Sequence, residues 1–308
     1  MNQPQDTSAW SLYWSEDRLY SCVAQSSDED QKVLNTLWQS FSTMLQPNSH
    51  LLDLATGNGA VADALLSVNS DLKIDAVDKA SIDPLKFLKQ HGNLVNVNFH
   101  TDTDIFAMSF EPQTFDAITS QFGIEYAGLE NASMHVMPLL KVGGHFQFVV
   151  HHAQSGILLS SKSKIIELQR LTEQSGILET LIQALAGKAD FAALEVLGED
   201  YLAQDFSRSQ QISGQVFTGI ERIIANFATH PKQALDLGVA MDLRVRSELT
   251  RLGQLIAAGQ TVEEIKAWSD KMSAIGVNAV FCPLYLDPTK QDYLLGWLVS
   301  GSRSELAQ

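Results

Sequence analysis

The chain has 308 residues, of which 45% are apolar and 19% charged. That is enough for one large folded domain or two modest ones, and too little charge for long disordered tails. Thirty-six acidic against 21 basic residues give a net charge of −15, which argues against nucleic acid as the main partner, because a phosphate backbone needs a cationic face. Two cysteines, Cys22 and Cys282, exclude a disulfide framework and a cysteine-rich metal site. The opening MNQPQDTSAW lacks a basic stretch followed by an apolar core, and no uncharged apolar run approaches the roughly 18–20 residues that span a bilayer. A cytoplasmic protein without membrane contact is therefore expected.

An aromatic cluster, Trp10, Tyr13, Trp14 and Tyr20, follows a polar start. Ser26 and Glu29 predict a capping box, after which Val33, Leu34, Leu37, Trp38, Phe41 and Leu45 recur at helical spacing until Pro47 and Asn48. The period then changes. His50 to Leu54 predicts a buried strand, Ala60 to Leu66 a helix, and Leu72–Val77, Val95–Phe99 and Phe115–Thr119 three more strands. Phe146–Val150, just after Gly143 and Gly144, predicts a fifth. Strands alternating with helical connections point to βαβ units and a parallel sheet.

From about residue 155 the strand signals stop. Ile165 to Leu171, Ile177 to Ile182, Phe217 to Phe227 and Leu249 to Ile256 keep a helical period, and Thr261 with Glu264 predicts a second capping box. Strand character returns in Asn278–Leu286 and Leu294–Ser300. A structureless stretch of such length is uncommon, so the block is expected to be a helical subdomain over the carboxyl ends of the strands, where open α/β sheets bind ligands. The expected organisation is an N-terminal helical segment over 1–47, an α/β core over 48–154, a helical insertion over 155–260, and completion of the core over 261–308.

The segment Leu51-Leu52-Asp53-Leu54-Ala55-Thr56-Gly57-Asn58-Gly59-Ala60-Val61-Ala62 carries the most chemistry. A strand running into Gly-x-Gly and a helix brings backbone N–H groups and a helix N-terminus close to a ligand. Gly57-x-Gly59-x-x-Ala62 alone also suits a dinucleotide turn, which makes a nucleotide-dependent oxidoreductase the rival enzyme class. Asp53 separates the two: a carboxylate four residues before Gly57 repels a pyrophosphate but accepts from a cationic amino group. The segment resembles motif I of the class I S-adenosylmethionine-dependent methyltransferases, and LDLATGNG looks most like their ubiquinone and menaquinone branch. That family usually has glycine where this chain has Ala55. Lys73 to Asp78, Asp104 (or Asp102) before Met108-Ser109-Phe110, Phe115-Asp116-Ala117-Ile118 and Leu140-Lys141-Val142-Gly143-Gly144 follow in the family's order.

The resemblance implies a Rossmann-like, seven-stranded α/β methyltransferase sheet with a helical subdomain inserted after strand five. Its cofactor would be S-adenosyl-L-methionine, with S-adenosyl-L-homocysteine as product. Asp53, Ala55, Gly57 and Gly59 would form the loop, Asp78 and Lys79 the ribose end, Asp104 and Ile105 the adenine end, and Gln121 and Phe122 the pocket wall. Trp14 and Arg18 would close over the cofactor. Such a reaction needs alignment and dryness more than a triad. Nothing here matches the Pro-Pro signature of amino-methylating nucleic-acid enzymes, and Cys282-Pro283 reverses the order used on cytosine. A small-molecule acceptor is expected. His151 or His152 at the end of strand five is a candidate base, with His151 preferred, and Glu125 and Tyr126 are candidates to orient substrate. The remaining histidines lack ligand spacing, so no metal is expected. Other readings are a non-catalytic cofactor-binding or protein-interaction module and a protein or tRNA acceptor. The chain is expected to be a monomer or homodimer.

Overall fold

The computed structural model describes residues 8–16, 18–21, 28–203, 211–287 and 292–305. Ser26 of the first expected capping box and Cys22 lie outside the described residues. Two compact units emerge: one of residues 1–158 with 255–308, the other of residues 159–254.

The first unit is built on a seven-stranded sheet of order β3-β2-β1-β4-β5-β7-β6. The strands are β1 (His50–Leu54), β2 (Lys73–Val77), β3 (Val97–His100), β4 (Phe115–Gln121), β5 (Leu140–Val150), β6 (Val277–Asp287) and β7 (Asp292–Arg303). β1 to β5 pair in parallel, while β7 runs antiparallel to both β5 and β6. This is the expected Rossmann-like α/β sheet, and its strand order reverses between β1 and β4.

Parallel strands are buried on both faces, so they read as continuous apolar runs. On one face Leu51, Ile74, Ala117 and Val149 pack with Leu34, Trp38 and Phe41 of α2 (Asp28–Ser42) and Val61 and Leu65 of α3 (Ala60–Leu66). On the other, Leu52, Leu54, Ile118, Phe146, Phe148 and Val150 meet Leu129 and Val136 of α4 (Leu129–Val136) and Ile265, Trp268 and Met272 of α10 (Val262–Ala274). The alternation of Leu51 and Leu52 between the two cores follows from the two-residue period of a strand. The crossings differ in kind. α3 links β1 to β2 and α4 precedes β5, whereas β2–β3 and β3–β4 cross by 3-10 turns at Pro84–Phe87, Gly92–Asn96 and Ile105–Ala107.

The second unit has its own core, in which Leu168 and Leu171 of α5 (Gly156–Leu171) and Leu178 and Leu181 of α6 (Ile177–Leu185) meet Leu194 of α7 (Phe191–Leu202). Ile220 and Ile223 of α8 (Gln211–Phe227) and Leu252 of α9 (Pro231–Ala258) complete it. The buried Glu167 carboxylate accepts from the Ser213 backbone at 3.0 Å and its hydroxyl at 2.8 Å. Among the described residues no helix is long and apolar enough to cross a membrane.

The second expected capping box is present. Thr261 Oγ1 accepts from Glu264 N at 3.2 Å, and Glu264 Oε2 accepts from Thr261 N at 2.8 Å. Thr261→Ala should lower stability by about 1 kcal/mol, seen as a lower urea midpoint at constant slope. An unchanged midpoint would mean that the box adds nothing to α10.

Candidate functional site

The two loops that leave β1 and β4 flank the point where strand order reverses, the usual ligand crevice of an open α/β sheet. After β1 the backbone turns left-handed at Ala55 (φ 52°), Gly57 (φ 55°) and Gly59 (φ 92°), which caps α3. Glycine takes this region without penalty, while Ala55 does so under strain. The turn after β4 passes so close that a Cβ on Gly123 would lie 2.4 Å from Ala55 Cβ.

Asp53 is fully buried in β1. One carboxylate oxygen accepts from Thr119 Oγ1 at 2.7 Å; the other, Oδ2, has no hydrogen-bond partner among the described residues. Burial pushes its pKa up to about 6, with the Thr56 and Thr119 hydroxyls pulling the other way. The Thr56 hydroxyl is near enough to act electrostatically without meeting hydrogen-bond geometry, and it too lacks a partner. Both residues line a shallow cavity of about 280 Å³, space at its mouth included, with Trp14, Ala55 and Gln121.

Asp78, just past β2, turns its carboxylate back on the loop. Its oxygens accept from Gly57 N at 2.7 Å and Ala80 N at 2.8 Å, and burial raises its pKa to about 6. Each oxygen keeps a second lone pair for another donor. Lys79 reaches Asp104 at 2.8 Å, and Asp104 also accepts from Phe106 N at 2.9 Å to cap the 3-10 turn that begins at the buried Ile105. Partial burial works against ionisation of Asp104, but these two donors outweigh it and hold the pKa below the ordinary value. Asp102, the alternative acid, is exposed in a left-handed turn.

After β4, Gln121 Oε1 accepts from Trp38 Nε1 at 2.6 Å. Phe122 stacks on His151 with ring centres 4.5 Å apart, and Tyr126 Oη lies 3.1 Å from His151 Nε2. Glu125 Oε1 accepts from the His151 backbone at 2.9 Å; its Oε2 has no partner among the described residues, and burial pushes its pKa up to about 7. His151 is wholly buried, whereas Tyr126 is only half-buried. His152 is different: it stacks on Trp297 at 4.4 Å, its Nδ1 accepts from Gln154 N at 2.9 Å, and burial lowers its pKa. An Nδ1 that accepts from Gln154 N carries no proton of its own.

The N-terminal residues also converge here. Trp14 of α1 (Ser8–Ser15) lies on Gly57, where a Cβ would come within 2.4 Å of its Cζ2. Trp10 meets the Tyr126 ring edge-on at 5.1 Å. Arg18 contributes its carbonyl, accepting from Asn58 Nδ2 at 2.6 Å, while its guanidinium engages Glu16 at 2.6 Å and the Tyr13 ring at 4.8 Å. Sequence reasoning singled out neither Asn58, Lys86 nor Thr119. Asn58 bonds Arg18, Lys86 bonds Glu16 and Thr119 bonds Asp53, each 40 or more residues away in the chain, and no local pattern reports such contacts. Among the described residues no group of three or more His, Cys, Asp or Glu is arranged to hold a metal.

No protein-family model matches the chain. No curated protein matches it either. Among solved structures, it is similar to a Methanococcus maripaludis protein described as an S-adenosyl-L-methionine-dependent methyltransferase, at 18% identity and TM-score 0.36 over 46% of this chain and 65% of that one. It is also similar to geranyl diphosphate methyltransferase in complex with GPP and sinefungin, at 16% identity and TM-score 0.37 over 44% and 53%. A third is the [4+2]-cyclase SpnF, at 19% identity and TM-score 0.36 over 46% and 51%. The likeness thus spans less than two thirds of each of these structures.

Asp53 yields a pH-dependent prediction. Its folded pKa of about 6 lies above the ordinary aspartate value of 3.8, so burying the anion costs stability once pH rises past the unfolded pKa, and the cost is complete above the folded one. Asp53→Asn keeps an acceptor for Thr119 and carries no charge. Its stability relative to the parent should therefore increase between pH 4 and pH 8, by on the order of 2–3 kcal/mol. Parallel urea-unfolding profiles at the two pH values would refute the assignment.

Proposed function

We propose that this chain is an S-adenosylmethionine-dependent methyltransferase that acts on a small-molecule acceptor. The observation that carries the reading is the unpartnered, buried Asp53 Oδ2 on the wall of a cavity beside a left-handed glycine loop. A buried acceptor without a donor is costly, and a carboxylate at that place favours a cationic partner over a phosphate. The residues fit the methionine end of the cofactor: Asp53 would take the amino group, and the Thr56 hydroxyl has the capacity for a further bond. Asp78, through its remaining lone pairs, would take ribose hydroxyls, with Lys79, Asp104 and Ile105 towards the adenine and Gln121 and Phe122 along the wall.

S-adenosyl-L-methionine supplies a methyl group already activated on sulfur and leaves as S-adenosyl-L-homocysteine. The chain's own work is then to align the acceptor, exclude water and remove a proton where the acceptor carries one. Tyr126 and His151 suit the last task, because a half-buried hydroxyl lies against a buried imidazole that can receive its proton. The net charge of −15 supports a small acceptor over a nucleic acid. A second reading, a module that binds a partner and does not turn over, draws support from Trp14 lying on the face of Gly57.

Calorimetric titration with S-adenosylmethionine, S-adenosylhomocysteine and NADH separates these readings. Binding of the two adenosyl ligands and not NADH is expected. Asp78→Ala should weaken S-adenosylhomocysteine by about 1–3 kcal/mol through loss of charged hydrogen bonds. An undiminished affinity in a folded Asp78→Ala variant would remove Asp78 from the ribose site, and no adenosyl binding at all would favour the partner module. Where the amino group meets ionised Asp53, affinity should rise towards a plateau as pH passes about 6, tenfold per unit on the acid side. Asp53→Asn should flatten that rise.

A further inference from the structure

Residues 8–16 and 18–21 form a strap across the glycine loop. α1 has 8 residues, too few to persist alone in water, so its conformation depends on what holds it. Lys86, in the 3-10 turn after β2, donates to three consecutive carbonyls at the helix end: Trp14 O at 3.0 Å, Ser15 O at 3.2 Å and Glu16 O at 2.7 Å. An ammonium has three N–H donors, and these carbonyls are among those a helix C-terminus leaves unsatisfied. One side chain thus saturates itself and closes the end of α1, where a cation is also favoured by the helix dipole.

The strap is tied at further points. Asn58, itself fully buried in the glycine loop, donates to Trp14 O at 3.1 Å and Arg18 O at 2.6 Å. Ser11 Oγ accepts from Ser81 N at 3.0 Å. Asn35 Nδ2 of α2 donates to Tyr20 Oη at 3.3 Å, and Trp10 packs on the Tyr126 ring after β4, so the strap is held from both sides of the crevice and Lys86 fastens the end of its helix. Beneath it, the Trp14 indole lies on Gly57 and, with Asp53, lines the cavity beside the loop.

We propose that the strap of residues 8–16 and 18–21 is a gate over the glycine loop, with Trp14 as the gate leaf and Lys86 as the latch. A ligand of the loop enters only when Trp14 lifts from Gly57, and the lifting requires release of the three carbonyls from Lys86. Lys86 is a positioning residue: it touches no ligand and sets how often the strap opens. The inference rests on the reading that the loop binds an adenosyl ligand, but the latch itself can be tested without one.

Two measurements on the full-length protein decide it. The first is amide hydrogen exchange of the strap. In Lys86→Met, the strap should exchange at least tenfold faster while β1 and β4 keep their protection; Lys86→Arg, which still donates to carbonyls, should behave like the parent. Unchanged strap exchange in Lys86→Met would overturn the latch. The second is the association rate of S-adenosylhomocysteine by stopped flow. Lys86→Met and Trp14→Ala should each raise it several-fold. An unchanged association rate, or a weakened affinity carried by faster dissociation, would make Trp14 a clamp on bound ligand and overturn the gate. Absence of adenosyl binding in parent and variants alike, with faster strap exchange, would sink the proposed function and leave the latch standing.

Discussion

The hydrogen bond from Gly57 N to the Asp78 carboxylate fixes the geometry on which the site depends. The chain leaving β1 must turn left-handed at Ala55, Gly57 and Gly59 before α3 can begin. A loop of that kind exposes N–H groups that cannot join the sheet ladder. Asp78, at the end of the neighbouring strand, accepts one of them at 2.7 Å and so ties the two strand ends together. The cost appears in the acid itself, whose pKa burial has raised to about 6. Gly123 completes the arrangement, since any Cβ there would collide with Ala55. Both sides of the crevice are therefore fixed by backbone approach, which leaves side chains such as Asp53 and Trp14 to define what the crevice holds.

The acids of the fold fall into two kinds. Asp75 is held by His50 and His100 at 2.7 Å each and Asp116 by Lys141 at 2.7 Å, and in both the donors outweigh burial and lower the pKa. Asp53, Asp78 and Glu125 are buried with raised pKa values, and among the described residues none has a basic partner within an ion pair. Asp75, Asp104 and Asp116 are paired with basic side chains, whereas Asp53, Asp78 and Glu125 are not. Buried titratable groups with displaced pKa values cluster at functional sites because chemistry there needs them. On the proposed reading, the unpaired Asp53 meets a ligand that brings its own positive charge.

The fold was legible where burial and backbone chemistry coincide. His50–Leu54 and Ala60–Leu66 are bounded as the periodicity predicts, because an apolar run stops at a glycine turn and an apolar helix starts beyond it. Strand three begins two residues later than its pattern suggests, since Val95 belongs to a 3-10 turn and is two-thirds exposed. Strand five starts earlier, at Leu140: Gly143 and Gly144, which look like a turn, lie inside it, and Gly144 is confined by the Asp116 and Lys141 carbonyls. The candidate acids Asp53 and Asp78 were visible from their spacing to the glycines. Lys86 was not, because a lysine between Leu85 and Phe87 gives no hint that three carbonyls 70 to 72 residues upstream will surround it.

The same logic constrains the acceptor side. His151 is wholly buried; its backbone N–H is committed to Glu125 and its carbonyl accepts from Gln260 N at 2.8 Å. Its ring is packed against Phe122 on one face, so it cannot reach an acceptor by moving out. On the proposed reading, a proton leaving the acceptor must pass through Tyr126, whose hydroxyl touches Nε2 and whose ring is half-buried. Trp10 packs on that same ring, and Trp10 and Trp14 belong to one short helix. On that reading the glycine loop and the proton route lie under a single strap, and a segment that opens one would uncover the other.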